Sequence, residues 1–111
     1  MSRTIPESDW RIFREVRATA LERFCAQILE EATREIAKPG NSSHEKYLSL
    51  WKLIERHDHD IARAFNNPRR STACMQMRVM HSMGLFTAEE VQRFSPEIQE
   101  SMAFYAPTGE A

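Results

Sequence analysis

His57, Asp58, His59 and Asp60 stand in a row inside Tyr47 to Phe65, YLSLWKLIERHDHDIARAF, a stretch with a heavy apolar load, and their side chains could do chemistry. Imidazole and carboxylate are the ligands of zinc and iron and the partners of general acid–base catalysis. On a helix turning about 100° per residue, His57 falls in the middle of the face made by Tyr47, Leu50, Ile54, Ile61, Ala64 and Phe65. Asp58 and Asp60 then project to opposite flanks and His59 points away, so the four cannot converge on one ion. A metal would need ligands from other helices. His81 lies near the apolar face of a later helix, but Glu30, Glu31 and Glu35 fall off the inward stripe of the first, and the chain has neither HExxH nor paired ExxH spacing. Metal binding or catalysis therefore rests on His57 and His81 without a third ligand, and no cofactor is expected. The pattern favours a buried polar network instead: His57 hydrogen-bonded inside the core, with Asp58 or Asp60 meeting Arg17 across the bundle.

Arg63, Arg69, Arg70 and Arg78 gather around the expected start of a third helix, where free amides and the helix dipole favour an anion or an acidic partner. Twelve of the fifteen basic residues are Arg, a choice that suits bidentate pairing with carboxylates. Net charge is −1, so a basic footprint for nucleic acid is missing, and the third helix is too apolar to spare a face for a DNA groove. Met75, Met77, Met80, Met83 and Met102 could line an adaptable binding groove, but core filling is the simpler use of them. Ser71, Ser82 and Ser95 have no base that spacing identifies, so no nucleophile emerges and the chain reads as non-catalytic.

The elements that must position these residues are helical. A long first helix starts near Ser8 or Asp9, behind Pro6, and runs to about Lys38, where Pro39-Gly40 stops it. Its apolar stripe drifts from Trp10, Phe13, Ala20, Leu21 and Phe24 to Cys25, Ile28, Leu29, Ala32 and Ile36. Ile12 and Val16 widen that stripe, which marks the face as a dimer interface. Ser42 and Glu45 form a capping box that opens a second helix over 43–65, expected to be central. Asn67 as cap and Pro68 as first residue would open a third helix through Met83, ended by Gly84. Thr87 to Glu90 is a second capping box, stapled by Phe86 and Val91, and Ser95-Pro96 restarts the chain. The stripe Val91, Phe94, Ile98, Met102 and Tyr105 crosses that break at helical spacing.

The 111 residues fit one domain, 1–111, with an ordered core over about 8–105 and frayed termini. Hydrophobic residues at 41% and charged residues at 28% exclude disorder and a fibrous repeat. With neither a long apolar run nor a signal-like amino terminus, a cytoplasmic protein without membrane contact is expected. Cys25 and Cys74 stand alone and read as small apolar residues.

The segments ALERFC (Ala20 to Cys25), D-x-x-I-A (Asp58 to Ala62) and RRS (Arg69 to Ser71) resemble those of small bacterial helical proteins with no assigned activity. That resemblance implies a bacterial cytoplasmic origin and transfers no catalytic residue. The sequence as a whole describes an all-α, irregular bundle of three main helices plus two short C-terminal ones. Its expected role is that of a non-catalytic interaction or regulatory module that self-associates and makes contact through the arginine rim.

Overall fold

The computed structural model describes residues 5–103, and these form five helices with no strand among them. Tyr105 and the tail from Pro107, expected to extend the last stripe and to fray, lie outside the described residues. Among the described residues no helix is long and apolar enough to cross a membrane.

Helix α1 spans Glu7–Ala37 and α2 spans Ser43–Phe65, and the two lie antiparallel as a hairpin. Gly40, at φ 86°, makes the turn between them. The capping box before α2 is formed, with Glu45 N–H donating to Ser42 Oγ (3.1 Å) and Ser42 N–H to Glu45 Oε1 (2.8 Å). Helix α3 is Ala73–Ser82, shorter than the sequence suggests. Asn67 adopts φ 56°, a left-handed conformation that Asn tolerates, instead of the extended backbone of a cap, so Pro68 to Thr72 are spent turning the chain. At its other end α3 stops at Gly84, φ 73°, in a Schellman motif: Gly84 N–H donates to His81 O (3.0 Å) and Leu85 N–H to Met80 O (3.1 Å). Helix α4, Ala88–Gln92, begins with the expected Thr87–Glu90 capping box, and α5 is Pro96–Ala103.

The core is built on the first half of α1. Phe13, Val16, Ala20 and Phe24 pack with Ala64 and Phe65 of α2, Ala73, Met77 and Met80 of α3, and Leu85, Phe94, Ile98 and Met102 beyond it. The methionines Met77, Met80 and Met102 are fully buried, so they fill the core, whereas Met75 is exposed. Helix α2 is not central. It buries only Leu53, Ala64 and Phe65, and Tyr47 and Ile54, expected on its inward face, are 64% and 50% exposed. Helices α1 and α2 run past the short helices, and among the described residues no third element covers the outer halves of their stripes. The molecule is accordingly elongated, 52 × 25 × 24 Å.

Long-range polar contacts lock the short helices onto α1. Asp9 is buried, and its carboxylate accepts from Ser95 N–H (2.9 Å) and Ser95 Oγ–H (2.7 Å), which satisfies the start of α5. Arg23 donates to Leu85 O (2.6 Å) just after α3 and forms a bidentate pair with Glu90 (2.9 and 3.1 Å). The hydrogen bond from Arg23 holds the Glu90 carboxyl below its ordinary range, and the same bond raises Arg23.

Two stability measurements check these locks. Asp9→Ala strands two partly buried donors of Ser95 and is expected to lower the unfolding free energy in urea by about 2 kcal/mol. Glu90→Gln is expected to cost about 1–3 kcal/mol at neutral pH. Because the folded protein depresses the Glu90 pKa from 4.5, its stabilisation is complete above that value and lost as pH falls through the lower folded value. The gap between wild type and Glu90→Gln should therefore stay constant from pH 8 to 6 and close in acid.

Candidate functional site

His57 faces inward, as its helical phase requires, with its side chain 17% exposed and its ring edge-on to Phe24 at 5.6 Å. Its partners differ from those the spacing suggests. Nε2–H donates to Glu31 Oε1 at 2.9 Å, and Nδ1, buried without a hydrogen bond, lies 3.6 Å from Asp60 Oδ2. Glu31, expected off the inward stripe of α1, also pairs with Arg56 at 3.2 Å. A carboxylate on the flank of one helix reaches an inward residue of its neighbour when the two pack side by side, a relation that a single-helix wheel omits.

Arg17 does not meet Asp58 or Asp60. Its guanidinium donates from Nη2 (2.6 Å) and Nε (3.2 Å) to Phe65 O, and it sits 6.0 Å from the centre of the Phe65 ring. The last carbonyls of a helix are unsatisfied and carry partial negative charge, so a cation bound there serves both needs. The expected network of Arg17, His57, Asp58 and Asp60 is thus replaced by two separate sites: Arg17 on the end of α2, and His57 between Glu31 and Asp60. Asp58 is exposed.

The arginine rim is largely engaged within the molecule. Arg70 donates to Glu7 (2.9 Å) and to Ile5 O (3.2 Å), tying the entry of α1 to the turn before α3, and Arg63 lies 3.9 Å from Asp60. Arg78 is half-buried on α3, and Arg69 is exposed. The dimer face expected on α1 is also engaged: Val16 is 2% exposed within the core and Ile12 packs against it.

Free apolar surface lies farther along. Beyond Phe24 on α1 and before Ile61 on α2, only Ala32 and Leu53 are buried apolar residues. On one side of this outer hairpin a groove of about 280 Å³ runs between the helices, lined by Cys25, Ile28, Leu29, Ile54, His57, Asp58 and Ile61. Leu29 and Ile54 of this lining, together with Ile36, Tyr47, Leu48 and Trp51 elsewhere on the outer hairpin, are 41–65% exposed. His57 thus faces an open groove, but His81 is not among its lining residues. Among the described residues no group of three His, Cys, Asp or Glu side chains is placed to hold a metal ion. The sequence did carry the signal for this face, in the wide apolar arc of Tyr47, Leu48, Trp51 and Ile54, which exceeds what one neighbouring helix can cover.

Fold and site together define a small all-α protein whose long helical hairpin exposes an apolar groove. No protein-family model, no curated protein and no solved structure matches the chain, so the resemblance of its ALERFC, D-x-x-I-A and RRS segments to bacterial helical proteins stands on those residues alone.

Glu31→Ala removes the partner of both His57 and Arg56. Because Glu31 is partly exposed, the expected loss in urea unfolding is about 1 kcal/mol or less, far smaller than for Asp9→Ala.

Proposed function

We propose that this protein is a small interaction or regulatory module of the bacterial cytoplasm, acting by protein contact rather than by catalysis, and that the apolar face of the outer α1–α2 hairpin is its contact surface. One observation carries the reading: six large apolar side chains are exposed on the outer hairpin, where among the described residues no third helix lies against it. A surface of this kind, with Trp51 and Tyr47 among its exposed residues, has the chemistry of a protein interface, in which aromatic side chains supply much of the binding energy. The arginine rim around Arg69 and Arg70 is the weaker choice, because Arg70 is already held by Glu7 and Ile5 O. His57 has a structural role in this reading: its bond to Glu31 fixes the two helices beneath the groove.

A photo-crosslinking side chain placed at Leu48 and, as a control, at exposed Glu97 of α5 tests the proposal in the cells that make the protein. The Leu48 probe is expected to capture protein, a copy of this chain or another, and the Glu97 probe to capture little. Absence of any adduct at Leu48, together with a melting temperature raised by several degrees on adding zinc, would overturn the reading in favour of a metal-binding protein centred on His57.

A further inference from the structure

On α1, Arg11, Arg14 and Arg17 follow one another at intervals of three, a spacing that puts like charges on successive turns and by itself disfavours the helix. The residues one turn away from Arg14, at three and four positions, are Arg11, Arg17, Trp10 and Ala18, so its own helix offers it no carboxylate. The acids nearest in sequence are committed elsewhere: Glu15 to Arg93 (2.7 Å), Asp9 to Ser95 and Glu7 to Arg70 (2.9 Å). Among the described residues the exposed Arg14 side chain has no hydrogen bond or ion pair. Arg17 is only partly used. Its Nε and Nη2 edge holds Phe65 O, and Nη1 reaches no described residue.

A cavity of about 180 Å³ lies between these arginines and the turn after α2, lined by Trp10, Phe13, Arg14, Arg17 and Pro68. Trp10 is half-buried and stacked on buried Phe13, with ring centres 5.6 Å apart, and Asn67 in its left-handed turn brings exposed Pro68 to the opposite rim. The lining thus holds two cations, three apolar rings and no acid. Trp10 Nε1–H donates to no described residue, and Pro68 has no N–H of its own. At about 30 Å³ per molecule of liquid water, the volume equals about six waters, the size of one ring with a head group.

We propose that this cavity binds a small organic oxyanion, its carboxylate or phosphate held by Arg14 and the open edge of Arg17 and its ring laid against Trp10 and Pro68. The head group is set by the donors. A guanidinium presents paired N–H groups that match two oxygens of a carboxylate or phosphate, and Arg17 is already fixed in place by Phe65 O. The body is set by the rings, whose apolar faces reward a flat ligand over water. A polyanion is the poorer fit, because the cavity admits one ring and a net charge of −1 supplies no wider basic field. A bound ligand bridges α1 and the turn that leads to α3. The site belongs to the packed body, so it stands or falls separately from the contact surface on the outer hairpin.

Proton–nitrogen NMR of the full chain tests the site, because the two tryptophans, Trp10 and Trp51, each give an indole N–H signal. Trp51→Phe assigns them, and in the wild type the Trp51 signal is the internal control. Benzoate and phenyl phosphate, titrated separately at low salt, are expected to move the Trp10 signal with a Kd of about 0.1–1 mM and to leave Trp51 in place. The tighter of the two identifies the head group. Inorganic phosphate and phenol, which each offer half of the ligand, should bind about tenfold more weakly or worse. Arg14→Gln should weaken the binding of benzoate and phenyl phosphate at least about fivefold, and Arg34→Gln, far along α1, should not change it. Arg14 has no partner to lose, and the spectrum itself verifies that each variant is folded. A Trp10 signal that stays still at about 10 mM of both probes overturns the site. Binding that is indifferent to Arg14→Gln, or equally tight for inorganic phosphate, overturns the organic oxyanion as its ligand.

Discussion

A helix can bury only as much of its stripe as its neighbours are long, and the rest of this structure depends on that constraint. Helix α1, at 31 residues, rises about 46 Å, whereas α3, α4 and α5 have 10, 5 and 8 residues. The short helices cover the first half of α1, and there Phe13, Val16, Ala20 and Phe24 disappear from solvent. Along the second half, among the described residues, only α2 lies against it. Two helices in contact shield a narrow seam, so Ala32 and Leu53 are buried and the wider arcs on either helix are left in water. A two-part molecule follows, with a packed body at one end and a hairpin with an apolar side at the other.

The body is closed by charged forks on backbone carbonyls. Arg17 serves Phe65 O at the end of α2, Arg23 serves Leu85 O after α3, and Arg70 serves Ile5 O before α1. Each carbonyl lies where a helix has just ended or not yet begun, so it has no partner in its own element. A planar guanidinium can satisfy such a group and a neighbouring carboxylate or ring at once: Arg23 also holds Glu90, Arg70 holds Glu7, and Arg17 lies beside the Phe65 ring. A lysine ammonium cannot do this with the same geometry, which is a reason for Arg at these three positions. Asp9 performs the opposite service, accepting from the free amide and hydroxyl of Ser95 at the start of α5.

His57 stands where body and hairpin meet. One edge of its ring faces Phe24, the last fully packed aromatic residue of α1, and Nε2–H reaches Glu31, about two helical turns farther out. A Leu at this position would extend the apolar seam. An imidazole instead provides a directional bond between the two helices, which fixes their spacing beneath the groove.

Local chemistry was legible from the chain alone, because it is decided within a few residues. Both capping boxes follow from backbone amides that side chains three positions away satisfy, and the stop at Gly84 and the restart at Pro96 follow from the backbone conformations those residues adopt. The inward phase of His57 follows from helical periodicity in the same way. Contacts across 26 to 86 positions were not legible: Glu31 with His57, Arg17 with Phe65 O, Arg23 with Glu90, Asp9 with Ser95. Nothing in a helical wheel says which flank of one helix will meet which neighbour, or at what height. The start of α3 escaped for a related reason, since Asn67 and Pro68 suit a cap or a left-handed turn equally and the packing of Gln76 Nε2 onto Asn66 O favours the turn. The sequence determined that Tyr47, Leu48, Trp51 and Ile54 are apolar and share one side of a helix. Tertiary structure decided that this side stays uncovered, because exposure depends on how far the neighbouring elements reach, and that length is a property of the assembled fold.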